Sequence, residues 1–282
     1  MLKIGVVGAG RAGRARIRAI EAHDGTELGG IVSSQPDVAT RGFDELLGDD
    51  GVAAVCVCTV NALHEEQVRR ALEADKHVVC EYPLALTHDA AVRLYELARE
   101  RQRVLHVEHI ELLSGTQQAL RAACRERGFP RPRGGTYESQ ANSEGWIASL
   151  ETAGFLSFSG ISRLHRLVDL FGPAGVREAL YDDHEDEQRL VVELDFAHGG
   201  ECRLDYRRGR GLPRRERWAI RLDDGDLGTV SPVPTGPLFE QDLLAFVRRV
   251  QEGAEPYVSD ERILEVLGLA DAIRERCEAP TP

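Results

Sequence analysis

Residues 2–7, Leu2-Lys3-Ile4-Gly5-Val6-Val7, form a short apolar run that leads straight into Gly8-Ala9-Gly10-Arg11-Ala12-Gly13. An Ala/Arg-rich stretch with helical spacing follows to Ala22. The order is strand, glycine turn, helix, and it commits the chain to open a βαβ unit. Gly8, Gly10 and Gly13 occupy the three positions of G-x-G-x-x-G. The first glycine permits a tight turn, the second lets a pyrophosphate approach the backbone, and the third lets the helix pack closely on the sheet. N–H groups at the helix start, on Arg11, Ala12 and Gly13, are left to face phosphate charge. A turn that merely links strand to helix could use the same residues. Placed between a buried strand and a helix, the pattern favours a dinucleotide site.

The unit repeats. Apolar runs at Leu28–Val32, Val52–Cys58, His77–Cys80 and Val104–Val107 alternate with helical stretches at Phe43–Leu47, 62–74 and Asp89–Arg101. This predicts an α/β architecture, a Rossmann doubly wound parallel sheet over residues 1–118. Beyond it come Gly/Pro clusters at 128–135 and 209–213 and alternating runs at Arg189–Phe196 and Trp218–Leu222. These predict an α+β domain over 119–282 with a large, mostly antiparallel sheet, closed by helices at Leu238–Gln251 and Ser259–Cys277. A length of 282 residues suits two such domains.

Subtracting 47 acidic from 35 basic residues leaves −12, which repels nucleic acid and acidic membrane surfaces at long range. No apolar run reaches the roughly 18 residues of a membrane span, and the N-terminal run is too short and Gly-rich for a signal peptide. A cytoplasmic protein is expected. Cys56, Cys58, Cys80, Cys124, Cys202 and Cys277 lack the paired spacing of a zinc site, so buried thiols and no metal are expected.

The tip of the second strand reads Val32-Ser33-Ser34-Gln35. An acidic side chain there would bond a ribose 2′-hydroxyl and repel a 2′-phosphate. Ser33 and Ser34, with Arg11 nearby, instead admit the phosphate, which points to NADPH with NADH possible. Thr59 follows the third strand and Glu81 the fourth, both at the carboxyl edge where such sheets bind ligands. Glu81-Tyr82-Pro83 is either an ordinary strand-ending turn with a surface tyrosine or part of a site, and the edge position favours the site.

The glycine turn, Glu81-Tyr82-Pro83 and a mixed second domain together resemble the Gfo/Idh/MocA family of nicotinamide oxidoreductases. That family usually carries Lys between Glu and Pro, and later an Asp and a His at a glycine-rich helix start. Here Tyr82 holds the lysine position, and within Phe158–Asp169 the Asp and His positions are Ser162 and Arg166. The departures, with Val104–Leu113, Phe158–Leu164 and the final helix around Arg262-Ile263-Leu264, are similar to a tetrapyrrole-reducing branch of the family. The likeness runs from first strand to last helix and is faint through 114–150 and 176–235. It implies reduction of biliverdin to bilirubin, in which hydride adds to the central methine carbon and a pyrrole nitrogen takes a proton.

The residues are compatible with that chemistry. Oxidising a sugar alcohol needs a base, and a chain without the Lys, Asp and His has little left for it. Reducing a conjugated bridge needs a cofactor at short range, a broad apolar slot and cations for two propionates. Arg163 and Arg166 supply cations, Arg163 first because it lies inside the matched motif. It either polarises the pyrrole nitrogen or clamps a propionate, and the clamp is the safer reading because a guanidinium is a poor acid. Surface salt bridges are the alternative for both.

Tyr82 serves to position, since a phenol is a slow acid at neutral pH. Tyr82 and Glu108 join the two arginines as substrate-binding candidates. Alternation places His106 and Glu108 on one face, where core hydrogen bonding outweighs a metal site. Ser157 and Ser159 lack a matching base.

Between Arg203 and Arg221 eight arginines face Asp205 and Glu216, a local balance of 8 − 2 = +6. They form either an anion funnel or a solvated hairpin paired with the acidic Asp182–Glu187 run. A different small-molecule dehydrogenase of the same family, or a non-catalytic NADPH sensor, are the rival readings. The oligomeric state is left open.

Overall fold

In the computed structural model, residues 1–155, 157–184, 187–227 and 234–278 are described, with the backbone alone at 150, 157–159 and 278. The chain first lays down β1 (Leu2–Val7), α1 (Arg11–Ala22), β2 (Thr26–Val32), α2 (Phe43–Gly48) and β3 (Ala54–Val57). It continues with α3 (His64–Glu73), β4 (His77–Cys80), α4 (His88–Glu100) and β5 (Leu105–Val107). The strands form a parallel sheet in the order β2-β1-β3-β4-β5. All four residues of β3 are buried, as expected of a strand covered by helices on both faces. The order reverses at β1, so the Gly8 turn leaves the sheet beside the end of β3, at its topological switch point.

The second sheet is built from β6 (Pro132–Asn142), β7 (Ala174–Asp183), β8 (Glu187–Phe196), β9 (Glu201–Gly209), β10 (Arg215–Leu222) and β11 (Gly225–Asp226). Its order is β11-β10-β6-β9-β8-β7, antiparallel except for the β6/β9 pair. Before β6 come α5 (Ile110–Leu113) and α6 (Gly115–Glu126). Between β6 and β7 lie α7 (Leu150–Ala153) and α8 (Ser157–Phe171). Leu190, Val192, Leu194 and Phe196 of β8 are buried with Cys202, Leu204 and Tyr206 of β9, and α8 packs on this sheet. The intervening residues of both strands face the other way.

The Gly/Pro cluster at 128–135 includes the start of β6. Gly134 and Gly135 adopt φ of 102° and 101° there. A Cβ on Gly135 would come within 2.1 Å of the Ala219 carbonyl oxygen, so the glycine lets β10 lie close.

Two units emerge, Met1–Ile110 with Gly236–Glu261, and Glu111–Thr235 with the residues from Arg262 onward. The sequence division at 118/119 placed both closing helices in the second domain, whereas α9 (Leu238–Glu252) returns to the first unit. Its Leu243, Phe246 and Val247 share a core with Ile4, Val6, Ile20, Cys56 and Val79. An amphipathic pattern marks α9 as surface-packed without saying which sheet it covers. The last helix, α10, spans Asp260–Glu278. Cys56, Cys58, Cys80, Cys124 and Cys202 are buried free thiols. Among the described residues no helix is long and apolar enough to cross a membrane, and no group of three His, Cys, Asp or Glu is placed to hold a metal ion.

Candidate active site

The glycine turn has the shape a diphosphate needs. Gly8 adopts φ of 100°, and a Cβ there would lie 2.5 Å from the Cys58 carbonyl oxygen. A Cβ on Gly13 would lie 1.8 Å from the Gly8 carbonyl oxygen, so helix and turn touch. At Gly10, by contrast, a Cβ would meet nothing within 4 Å. That open space faces the start of α1, which carries no side-chain cap and no acidic residue in its first turn. The N–H groups of Arg11, Ala12 and Gly13 thus present uncompensated positive dipole to an anion.

At the tip of β2 the Ser33 hydroxyl accepts the Gln35 N–H at 3.0 Å, and Ser34 is exposed. Arg14 donates to the Ala9 carbonyl at 3.1 Å and to Gln35 Oε1 at 3.3 Å, bridging the glycine turn and the strand tip. The sequence reading singled out Arg11, which is exposed, and passed over Arg14.

The carboxyl edge is held by a buried network. Thr59 Oγ1 donates to Gln67 Oε1 at 2.6 Å. The His64 ring lies between the carbonyls of Pro83 and Thr59, at 2.8 and 3.2 Å, and burial lowers its pKa. The Tyr82–Pro83 peptide is cis. The Tyr82 ring stacks on His109, with centroids 6.0 Å apart, and burial pulls the His109 pKa down to about 3.

Behind Glu81 lies Arg16, which is 0% exposed. Its Nε donates to Glu81 Oε1 at 2.8 Å, and its Nη1 stands 2.5 Å from Asp242 Oδ2. Asp242 Oδ1 accepts the Tyr257 hydroxyl at 2.5 Å and meets His106 Nε2 at 2.9 Å. Burial opposes ionisation of Asp242, yet Arg16 and His106 hold its carboxyl far below the usual range.

Glu108, read from sequence as a substrate contact, is instead 1% exposed and accepts the Ile110 N–H at 2.6 Å. Burial, then the charges of Glu81 and Asp242, push its pKa well up. Arg16 was legible in one respect. It falls on the buried face of α1 with Gly13, Ala19 and Ile20.

In the second unit Arg163 and Arg166 stand one turn apart on α8 and share Glu216 of β10, at 2.9 and 2.6 Å. Arg163 also donates to Ser139 Oγ at 2.9 Å and Ser162 Oγ at 2.7 Å. Arg166 donates to Gln117 Oε1 and the Tyr137 hydroxyl, both at 2.9 Å. Its guanidinium packs 5.0 Å from the Trp218 ring, which is stacked on Tyr137 at 3.8 Å. With exposures of 2% and 1%, neither arginine forms a surface salt bridge. Arg214 reaches Glu111 at 2.7 Å. Burial works against the Glu216 charge, but Arg163 and Arg166 keep its pKa low.

Sequence reasoning missed Glu216, Ser139, Tyr137, Trp218 and Gln117. Alternation in β6 and β10 was the available signal, since 137/139 and 216/218 each share a face.

The arginine-rich segment divides by face. Arg203 pairs with Glu193 at 2.6 Å, Arg207 with Glu187 at 2.6 Å and Arg217 with Glu138 at 3.3 Å. These cross-strand pairs neutralise three arginines of the outward row. Of the acidic Asp182–Glu187 run only Glu187 takes part, and residues 185–186 lie outside the described ones. The side chains of Ser157, Phe158 and Ser159 also lie outside the description.

Residues 2–109 match the oxidoreductase family with an NAD-binding Rossmann fold, and residues 144–235 match the catalytic region of biliverdin reductase. Biliverdin reductase A of Mus musculus is 34% identical, with 96% of this chain and 95% of the relative aligned. Biliverdin reductase A of Homo sapiens is 31% identical over the same shares. The crystal structure of biliverdin reductase from Synechocystis sp. PCC 6803, in complex with biliverdin and NADP+, superposes with a TM-score of 0.83 at 25% identity and covers 99% of both chains. With both regions matched in order and a relative aligned end to end, the chain belongs to the biliverdin reductase family of NAD(P)H-dependent oxidoreductases.

Proposed function

We propose that this enzyme reduces biliverdin to bilirubin, with NADPH as the preferred reductant and NADH as an alternative. The observation that carries the reading is the full-length likeness to the Synechocystis structure, whose crystal holds biliverdin and NADP+. NADPH, when bound, supplies the hydride. The N–H groups of Arg11, Ala12 and Gly13 hold its diphosphate, and the open face of Gly10 lets it approach. Arg11, Arg14, Ser33 and Ser34 receive the 2′-phosphate. Thr59 and Glu81 line the sheet edge beyond, and Tyr82 fixes the ring that lies there.

On the pigment side, Arg163 offers a cationic donor. As hydride reaches the methine carbon, negative charge grows on the conjugated pyrrole nitrogen, and a nearby guanidinium stabilises it while a water delivers the proton. Arg166 donates to Gln117, Tyr137 and Glu216 within the core, so its part is to hold Glu216 and through it Arg163. Glu108 is buried and caps the Ile110 N–H rather than touching substrate.

The test is direct. The protein is mixed with biliverdin and NADPH, then NADH, and the pigment band is followed toward the shorter wavelength of bilirubin as the cofactor is consumed. No turnover with either cofactor overturns the proposal. Cofactor binding without turnover on any substrate would instead mark a sensor, and alcohol oxidation a different dehydrogenase.

A further inference from the structure

Arg208 of β9 is 4% exposed. Alternation places it on the same sheet face as Leu204 and Tyr206, which are buried, while its neighbour Arg207 points to the opposite face and pairs with Glu187. Its Nε donates to Gln188 Oε1 and its Nη1 to the Ile147 carbonyl at 2.9 Å. The Tyr181 hydroxyl is its third neighbour. All of these are neutral.

Among the described residues no carboxylate lies within the 4.0 Å of an ion pair. The other deeply buried arginines differ: Arg16, Arg163 and Arg166 each hold a carboxylate at 2.5 to 2.9 Å. A guanidinium taken out of water without a counter-charge is costly, and the cost is relieved when an anion joins it.

The position of Arg208 says which anion. Tyr206 pairs with Ser139 across the β6/β9 ladder, and Arg208 pairs with Ala141. Ser139 is the residue that receives Arg163 Nε. With strands about 4.8 Å apart and alternate residues about 6.6 Å apart, Ser139 and Arg208 are diagonal neighbours roughly 8 Å apart on one face. Gln188, Ile147 and Tyr181 engage three of the five N–H donors, and the remaining two can engage a carboxylate.

We propose that Arg208 binds one propionate carboxylate of the linear tetrapyrrole, beside the part of the pigment that Arg163 serves. This rests on the reading of the enzyme as a biliverdin reductase.

The probes are biliverdin, with free propionates, and its dimethyl ester, with the same chromophore and none. Each is titrated against the folded protein by absorbance, in the presence of NADP+, and turnover is measured in parallel with NADPH. Arg208→Gln is expected to weaken binding and raise KM for the diacid roughly tenfold, the loss of one charged hydrogen-bonding partner. It should leave the ester unchanged and kcat within about twofold. If Arg208→Gln fails to fold by circular dichroism, Arg208→Lys replaces it, with the loss again confined to the diacid but smaller.

An equal loss for diacid and ester, or no loss for either, overturns the proposal. So does wild-type protein that binds neither pigment. Wild-type protein that binds the diacid but never reduces it defeats the reductase reading alone, and the titrations then decide the role of Arg208 by themselves.

Discussion

The Arg16 guanidinium and the Asp242 carboxylate meet at 2.5 Å with neither side chain exposed to solvent. The pair joins α1 to α9, and Arg16 hands its remaining charge to Glu81 at the sheet edge. Breaking a buried pair leaves an uncompensated charge, which costs about 3–5 kcal/mol. Asp242→Asn is therefore expected to lower unfolding free energy in urea by an amount in that range. A change below about 1 kcal/mol would show that the pair is dispensable.

Gly10 and Gly13 should separate binding from folding. Gly13→Ala drives a Cβ to 1.8 Å from a backbone oxygen, so it should destabilise the first unit and lower the melting temperature. Gly10→Ala has room in the protein itself. It should melt like wild type and still lose NADPH affinity at least tenfold by fluorescence titration, because its methyl group fills the diphosphate's space. Equal melting losses in the two variants would refute the distinction.

Arg163 and Arg166 both supply cations on α8 and should behave differently. Arg163→Ala is expected to cut turnover of biliverdin by roughly 100-fold, the scale of losing one charge-stabilising donor, with NADPH affinity intact. Arg166→Ala empties a core position and leaves Glu216, Gln117 and Tyr137 short of a partner. It should cost about 3 kcal/mol of stability before any kinetic effect is read. Comparing kcat, NADPH dissociation constants and urea midpoints for both variants settles the assignment.

Glu108 gives a pH signature. Its pKa is raised on folding, so its contribution is fully present below the unfolded value near ~4.3 and is lost as pH rises toward the folded value. Asp242 acts in the opposite sense, losing stability only in strong acid as pH falls through its depressed pKa. Glu108→Gln removes the first effect. Urea denaturation should therefore show the variant's advantage over wild type growing between pH 5 and pH 8, and a difference that stays constant across that window would contradict the raised pKa.

The parts of this molecule that were readable are those where local pattern and tertiary environment agree. Gly8, Gly10 and Gly13 follow a strand and open a helix, and each has a steric reason that survives in the structure. Arg163 was reachable through its motif, but its partner Glu216 was not. Glu216 looks like one more charge in a strand of charges until β10 is placed against β6 and α8. The same holds for Arg208, which differs from Arg207 only by which side of the sheet it faces. Glu108 read as a polar residue at a ligand edge because sequence carries no measure of depth. Gly134 and Gly135 gave no strand signal because a strand that accommodates positive φ is a local exception imposed by its neighbour.

The return of α9 to the first sheet also bears on how the chain leaves the ribosome. Leu243, Phe246 and Val247 complete a core whose other members emerge far earlier, with Ile4 and Val6 at the very start. At about 5–20 residues per second, the stretch from Ile110 to Glu252 takes on the order of ten seconds to synthesise. For that interval the apolar residues that α9 covers in the folded protein have no partner from that helix. The buried Arg16 must also wait for Asp242 before its charge is balanced.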